Sequence, residues 1–388
     1  MKKNSVDHSK LFKVPFFAPW ITNSDKKAVL DALGSTFLTD GPLLRKFESE
    51  FARFTGAKYA IGVSNATTAL HLSLIALGIG KGDEVIVPDM TFVATANAVA
   101  HSGATPVFAD IEKDDLNISI ESIEENLSKK TKAILPVHFA GKICNIEKIS
   151  NFAKKHNLVL IEDCAHAIGA RYKKKHVGNF GNAGCFSFYP TKNITTIEGG
   201  MIITNSQKVA DDVRQSRNHG ITRSLSQRYS KGKPWEYDVI HSGYNYRLDE
   251  IRSALGLSQL KRIRKLNLLR RNACKYYSDK LKNVKGIIVP PTVFDESNVN
   301  HLYIMRVQSD YGISRDELFQ RFMEKGISVT VHYKPLHEFT VFEKRIKNMN
   351  RVRNTIDAYQ EIISLPLFPQ ISRTSQDLVI ECIRENQK

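Results

Sequence analysis

Three segments of the sequence carry residue types that together could hold a reactive cofactor. The first, residues 64–71 (SNATTALH), is small and polar and leads directly into a helical pattern. Backbone N–H groups at the start of a helix, with a threonine hydroxyl beside them, can bind a phosphate group. An ordinary helix cap explains the same residues, and the sequence has no GxGxxG or GxxxxGKS/T motif to specify a nucleotide site.

Asp163 and Lys192 supply the other two groups. Asp163 ends an apolar run, and Lys192 lies among Thr, Asn and Gly residues shortly after another strand-like run. A carboxylate at a strand end can keep a ring nitrogen protonated, and a lysine in a confined site can lose its proton and react with an aldehyde. Without a cofactor, Asp163 could instead cap a helix, and Lys192 could be an ordinary surface lysine in a loop. A phosphate site, a carboxylate and an amine match the three functional groups of pyridoxal 5'-phosphate.

Three further residues could complete such a site. Ser187 precedes Lys192 and could add a hydroxyl to a phosphate site. Phe92 follows a strand-like run and could stack on the cofactor ring, although an isolated Phe more often belongs to a core. His166 lies three residues after Asp163, where a single histidine more often packs or bonds to the backbone than takes part in chemistry.

Alternating apolar runs and helical patterns must position these residues. The strand-like runs are residues 84–88, 106–110, 132–138, 158–163, 183–188 and 200–204, and the candidate helices include residues 68–77, 93–101, 146–156 and 209–217. This alternation predicts an α/β fold whose mostly parallel central sheet is covered by helices on both faces. Ligands of such sheets lie at the carboxyl ends of the strands, where Asp163 stands.

The rest of the chain indicates a loop, a linking helix and a smaller domain. Residues 219–246 have no clear period and read as a long loop, and a helical pattern then runs from about residue 248 to 284. Residues 302–307 and 328–333 are strand-like, with a capping box at Ser314–Glu317 and two later helices. We expect a flexible tail (1–13), a large cofactor-binding domain (14–255), and a linking helix with a small α/β C-terminal domain (256–388).

Composition sets limits on partners and location. With 56 Lys and Arg against 40 Asp and Glu, the net charge of +16 favours anionic partners. The five cysteines show no disulfide framework and no metal-ligand spacing, and neither a spanning segment nor a signal peptide is present, so we expect a soluble cytoplasmic protein.

A nucleic-acid-binding protein is the alternative class, because residues 261–275 form a basic helical run. A solvated helix face explains that run, and no nucleic-acid-binding motif accompanies it, so we expect neither nucleic acid nor a membrane as partner.

Longer motifs extend over nearly the whole chain. They include FLTDGP (37–42), SNATTALHLSLIALGIGKGDEVIVPDMTF, IEDCAHAIGA, CFSFYPTKNITTIEGGM, SGYNYRLDEIRSALG and SLPLFPQ (364–370). In their order and spacing, these motifs resemble the DegT/StrS-type sugar-nucleotide aminotransferases, which are fold type I pyridoxal-phosphate enzymes.

The resemblance implies a role for each candidate residue. Lys192 would bind the cofactor covalently and move a proton, Asp163 would pair with the pyridine nitrogen, and Phe92 would lie against the ring. The phosphate would be held by Ala66 (through its N–H), Thr67 and Ser187, with His166 near the oxygen side of the ring. Asn245 matches a residue that family members contribute from the neighbouring subunit, which implies a homodimer with shared active sites. Related dehydratases have histidine in place of the lysine, so Lys192 favours transamination.

The resemblance also indicates a substrate class. IEDCAHA, KNIT, VHYKPLH and SLPLFP look most like aminotransferases that act on UDP-linked 4-keto sugars, with glutamate as amino donor. SNAT and PDMTFVATANAV also resemble relatives that use GDP- or dTDP-linked 4-keto-6-deoxy sugars, of the perosamine type. The product would be an amino sugar for surface polysaccharide or glycan synthesis. His332 and His337 are candidate substrate contacts, with ordinary loop histidines as the alternative, and Ile197 stands where Gly or Ala is common.

Overall fold

The computed structural model describes residues 12–222, 233, 235–291, 295–343 and 349–388. Residues 1–11 of the predicted tail, and residues 223–232 and 234 of the predicted loop, lie outside the described residues. None of the helices formed by the described residues has the length and apolar character needed to cross a membrane.

The described residues form alternating helices and strands. The α-helices are α1 (Asn23–Leu33), α2 (Pro42–Thr55), α3 (Ala66–Ala76), α4 (Ala94–His101), α5 (Ile120–Glu125), α6 (Ile146–Lys155), α7 (Gln207–Ser216), α8 (Glu250–Leu260), α9 (Ile263–Leu281), α10 (Arg315–Glu324), α11 (Arg353–Glu361) and α12 (Arg373–Glu385). The strands are β1 (Tyr59–Val63), β2 (Glu84–Pro88), β3 (Thr105–Ala109), β4 (Thr131–Ile134), β5 (Val159–Asp163), β6 (Arg171–Tyr172), β7 (Lys175–His176), β8 (Ala183–Ser187), β9 (Gly200–Thr204), β10 (Ile287–Ile288), β11 (Tyr303–Val307) and β12 (Ile362–Leu365).

The central sheet has seven strands in the order β1-β9-β8-β5-β4-β2-β3. Strand β9 is antiparallel to both of its neighbours, and the other pairs are parallel. The predicted α/β fold with a mostly parallel sheet is therefore confirmed. Because β8 and β9 are antiparallel, the chain returns directly from one to the other, and this connection carries Lys192.

Helices cover both faces of this sheet. Side chains of α2 and α6 pack on one face with Phe186 and Ile203, whereas α3 and α4 pack on the other with Ile161 and Ile202. Neighbouring residues such as Ile202 and Ile203 point to opposite faces because side chains alternate along a strand. Residues 69–74 of α3 are all buried, so this helix lies inside the fold, and its N-terminus lies against Gly200 at the start of β9.

A second unit consists of the antiparallel sheet β10-β11-β12 with helices α9, α10 and α12 packed against it. Val14 also packs into this second core and bridges Ile327, and the domain bounds stay a prediction. The predicted capping box at Ser314–Glu317 is present. The predicted helix at 248–284 is two helices, because the chain turns at Lys261 and Arg262 between α8 and α9.

The strand predicted at residues 328–333 is wrong. Ser328 donates its N–H to Val14, and Thr330 pairs with Ser364 in an isolated bridge. The backbone groups of this segment thus bond to two different neighbours instead of forming one ladder.

Candidate active site

Asp163 lies at the carboxyl end of β5, as the sequence pattern predicts. Its side chain is buried, Oδ2 accepts a hydrogen bond from Thr95 Oγ1 (3.0 Å), and Oδ1 accepts one from the Ala165 N–H (3.0 Å). Burial raises the pKa of Asp163, while these two hydrogen bonds and the charge of Lys192 oppose that rise. A buried carboxylate of this kind favours a cationic partner.

Lys192 lies in the β8–β9 connection, which is fixed by hydrogen bonds at Lys192 and at Asn193. Its N–H donates to the carbonyl of Tyr189, and the next side chain, Asn193, donates to Asn267 Oδ1 (2.7 Å) and to the Val299 carbonyl (3.2 Å). Burial lowers the pKa of Lys192 to about 8, against the attraction of Asp163. The amine is therefore far more available in its neutral, reactive form than an ordinary lysine.

The N-terminus of α3 and Ser187 meet at Gly200. Asn65 caps α3, leaving Ala66 and Thr67 as its first two residues. Gly200 pairs with Ser187 across β8–β9, and a Cβ on Gly200 would lie 2.4 Å from the Asn65 carbonyl oxygen and 2.9 Å from the Ala66 nitrogen. Glycine at 200 therefore lets the helix start approach β9 at the residue that pairs with Ser187 of β8. N–H groups of a helix start and a hydroxyl at one point suit a phosphate group.

His166 is buried beside Lys192 and packs against His301, with ring centroids 4.4 Å apart and the ring planes tilted by 37°. Its Nε2 lies 3.2 Å from the Tyr333 hydroxyl, while its buried Nδ1 has no hydrogen-bond partner among the described residues. Burial, together with the charges of Lys192 and His332, holds the pKa of His166 well below its usual range, so the ring is neutral at pH 7. The unpartnered Nδ1 can bond to a polar group of a bound ligand.

Phe92 follows β2 and its side chain is 54% exposed, with its ring centroid 5.8 Å from that of Tyr333. Thr95, His301 and Tyr333 were not among the predicted site residues. They come from three separate parts of the chain, so no local spacing connects them with Asp163. Tyr333 stands within the VHYKPLH motif, and this motif is the one signal that could have indicated it.

The two candidate substrate histidines lie in different surroundings. His332 Nδ1 is 2.8 Å from Ser364 Oγ, and burial lowers its pKa to about 3. His337 instead turns to Asp89, with Nδ1 2.5 Å from Oδ2. A role in substrate contact stays a prediction for both.

Asn245 is exposed, and its backbone bridges Asn218. Asn245 therefore lies near the end of the predicted loop at 219–246, next to the residues that follow α7. Its predicted role in a neighbouring subunit stays a prediction.

Another buried polar group was not indicated by the sequence. Ligand atoms of His138, Glu162 and Cys164 lie within 4.8 Å of one another. Glu162 already accepts hydrogen bonds from the N–H groups of Gly178 (2.7 Å) and Phe180 (2.6 Å) and lies 3.1 Å from His138 Nε2. These bonds hold the turn before β8, which gives Glu162 a structural role.

The residues present fit pyridoxal phosphate. Gly200 lets the start of α3 lie against β9 next to Ser187, Asp163 can pair with a ring nitrogen, and Lys192 offers an amine of lowered pKa. The unpartnered Nδ1 of His166 provides a further bonding site.

Comparisons with known proteins agree with this chemistry. Residues 19–384 match the model of the DegT/DnrJ/EryC1/StrS aminotransferase family. Spore coat polysaccharide biosynthesis protein SpsC of Bacillus subtilis (strain 168) is 38% identical over 375 residues, which are 96% of each chain.

Solved structures are similar over the same length. Helicobacter pylori PseC, an aminotransferase involved in the biosynthesis of pseudoaminic acid, superimposes with a TM-score of 0.89 at 33% identity, covering 96% of this chain and 99% of PseC. Spr1654 from Streptococcus pneumoniae, in its PLP form, gives a TM-score of 0.86 at 31% identity, with coverage of 96% and 98%. The protein therefore belongs to the DegT/DnrJ/EryC1/StrS aminotransferase family and is a pyridoxal-phosphate-dependent enzyme.

Proposed function

We propose that this sugar aminotransferase moves an amino group from glutamate to the keto carbon at position 4 of a nucleotide-linked sugar. The observation that carries the proposal is the pairing of buried Asp163 with half-buried Lys192 at the carboxyl edge of the sheet, with the lysine pKa lowered to about 8. An amine that is partly neutral near pH 7 can bind an aldehyde and exchange protons in both halves of a transamination.

Each residue of the site has a separate role in the proposed reaction. When bound, pyridoxal phosphate supplies an electron sink for the carbon that gains or loses the amino group. Asp163 would keep the ring nitrogen protonated, and the N–H of Ala66 with the hydroxyls of Thr67 and Ser187 would hold the phosphate. Within each half-reaction, Nζ of Lys192 would take a proton from one of the two carbons that flank the transferred nitrogen and deliver it to the other.

The sugar and its nucleotide are inferred from relatives. The SpsC name refers to polysaccharide biosynthesis and the PseC title to pseudoaminic acid biosynthesis, which supports an amino-sugar product for a surface polysaccharide or glycan. A UDP-linked 4-keto sugar is the acceptor that we propose first. A GDP- or dTDP-linked 4-keto-6-deoxy sugar is the alternative, favoured by the PDMTFVATANAV motif.

We also propose a cytoplasmic homodimer in which each site receives Asn245 from the other subunit. The exposure of Asn245 supports this, since its side chain is open to a partner. The five cysteines are all free thiols, which agrees with a reducing compartment.

The basic run at 261–275 gives little support to nucleic-acid binding. Arg270 is buried and donates to the carbonyls of His301 (3.2 Å) and Leu367 (3.0 Å). Arg262 pairs with buried Asp25 at 2.5 Å. Part of the run therefore binds groups of the chain itself.

Absorption spectroscopy tests the proposal first. Protein reconstituted with pyridoxal phosphate should show the visible band of a lysine-bound cofactor, and glutamate alone should bleach it. K192A should neither show this band nor turn over, whereas K27A, at an exposed lysine of α1, should behave as the wild type. A K192A variant of normal rate would refute the assignment of Lys192.

A substrate panel follows with the same protein. UDP-, GDP- and dTDP-linked 4-keto sugars, each with glutamate, should give an amino sugar from the UDP substrate at the highest kcat/KM. A higher kcat/KM for a GDP- or dTDP-linked sugar would reverse the order of the two substrate proposals.

A further inference from the structure

Asp89 and His337 form a buried pair between the end of β2 and the segment that carries Tyr333. Asp89 is fully buried and His337 is 6% exposed. His337 donates its backbone N–H to Oδ1 of Asp89 (3.0 Å), and its Nδ1 lies 2.5 Å from Oδ2. The Leu336 N–H donates to the backbone carbonyl of Asp89 (2.8 Å). The main chain and the side chain of Asp89 therefore both bind the same short segment.

Asp89 and His337 each stabilise the charged form of the other. Burial raises the pKa of Asp89, and the bonds from His337 oppose that rise. Burial alone would lower the pKa of His337, but the bond and charge of Asp89 raise it. Asp110 and Glu338 are the other charged groups that act on the two residues. A proton shared between His337 and Asp89 thus makes a short, strong contact.

Each member of the pair stands near a side chain of the active site. Asp89 precedes Phe92 by three residues, and its N–H is fixed to the Ala109 carbonyl (2.9 Å) at the end of β3. His337 follows Tyr333 by four residues. The Tyr333 hydroxyl lies 3.2 Å from His166 Nε2, and its ring lies 5.8 Å from that of Phe92. The pair therefore closes a ring of contacts in which Phe92 faces Tyr333.

We propose that Asp89 and His337 are positioning residues that hold Tyr333 opposite Phe92, and that the spacing of these two side chains determines how the sugar substrate fits beside Lys192. This inference rests on the proposed sugar aminotransferase function. In this proposal His337 acts through Tyr333 and Phe92, which differs from the direct substrate contact predicted from the sequence.

Two substitutions at one position separate the hydrogen bond from the side chain itself. H337N would place an amide N–H where Nδ1 of the histidine stands and so would keep the bond to Asp89. H337L fills similar space but leaves the carboxylate with one backbone N–H. T355V is the matched control, because Thr355 Oγ1 donates to buried Asp110 (2.9 Å) and ties α11 to the end of β3 in a similar way.

The first measurement uses cofactor-free protein. Hydrogen exchange in a peptide spanning residues 331–338 should become at least fivefold faster in H337L, stay within twofold of wild type in H337N, and stay unchanged in T355V. Equal exchange in H337L and wild type would overturn the proposal, since the segment would then be held by other contacts.

The second measurement uses the loaded enzyme and the best keto sugar of the panel. H337L should raise KM for that sugar at least tenfold and change kcat less than threefold, with the cofactor band intact, and H337N should restore KM to within threefold. Faster exchange with an unchanged KM would show a purely structural pair and refute the inference. If H337L does not fold, D89N replaces it, and a KM within twofold of wild type would count against the proposal. A wild-type enzyme without keto-sugar turnover would refute the proposed function, whereas the exchange result would still report on the pair.

Discussion

Lys192 should react with the aldehyde of pyridoxal phosphate with a pH dependence set by its lowered pKa. Burial lowers this pKa to about 8, with Asp163 opposing and Arg270 adding to the change. At pH 7 roughly a tenth of Lys192 is then neutral, compared with about 0.04% of an ordinary lysine of pKa ~10.4. The neutral fraction of Lys192 levels off above about pH 9, whereas that of the ordinary lysine still rises about tenfold per pH unit.

Trapping measures this difference within one sample. Cofactor-free protein and free Nα-acetyllysine are mixed in one sample with pyridoxal phosphate and reduced with borohydride, and the labelled Lys192 peptide and labelled acetyllysine are quantified by mass spectrometry. Because both amines meet the same aldehyde, the ratio of their labels should be constant below about pH 7 and fall nearly tenfold per unit above about pH 9. D163N should move the turning point to lower pH, since loss of the anion favours the neutral amine. A constant ratio through pH 10 would refute the confined, low-pKa lysine.

Three further substitutions test the site and its supports. D163A should reduce turnover by at least about a hundredfold, as removal of a preorganised electrostatic partner does elsewhere, while circular dichroism stays native. G200A should weaken pyridoxal phosphate binding at least about tenfold in a spectroscopic titration, because its Cβ would press on Asn65 at 2.4 Å, whereas G34A, whose nearest atom is at 3.5 Å, should not. I197G should raise the free energy of unfolding in urea by about 0.5–1 kcal/mol, because Ile197, 62% exposed, has φ of +71°, a conformation that glycine adopts without strain. A destabilised I197G would contradict this strain.

The sequence predicted the strands well where turn residues bound them. The predicted bounds of β2 and β9 match the structure, and α3 begins at Ala66, two residues before the predicted start. The run at 132–138 was predicted as one strand, yet β4 ends at Ile134. Pro136 has no N–H to donate, and only Val137 pairs again, in a single bridge to Asp163. An apolar run thus shows that a segment is buried, but its pairing depends on the neighbouring strand.

The sequence predicts those site residues whose role follows from a single local motif. The start of α3, Asp163 and Lys192 each follow from residue types at an element end, and the structure brings Lys192 and Asp163 close enough to affect each other's pKa. Thr95 and His301 could not be found in this way, because their roles arise from side chains that meet only in the folded chain. His337 shows the opposite case: its type suggested chemistry, but its partner is buried Asp89.

The charges around Lys192 explain why a neutral lysine and a cationic ring belong together at this site. Arg270 is buried without an ion-pair partner among the described residues, and its charge helps to lower the pKa of Lys192. Burial also keeps His166 and His301 neutral, so neither histidine offers Asp163 a cation. When Lys192 gives up its proton to react, Asp163 loses the attraction of the ammonium group while its own burial is unchanged. The protonated ring nitrogen of bound pyridoxal phosphate would supply a new cation for Asp163. The burial that makes Lys192 reactive therefore also favours a cationic ring at Asp163.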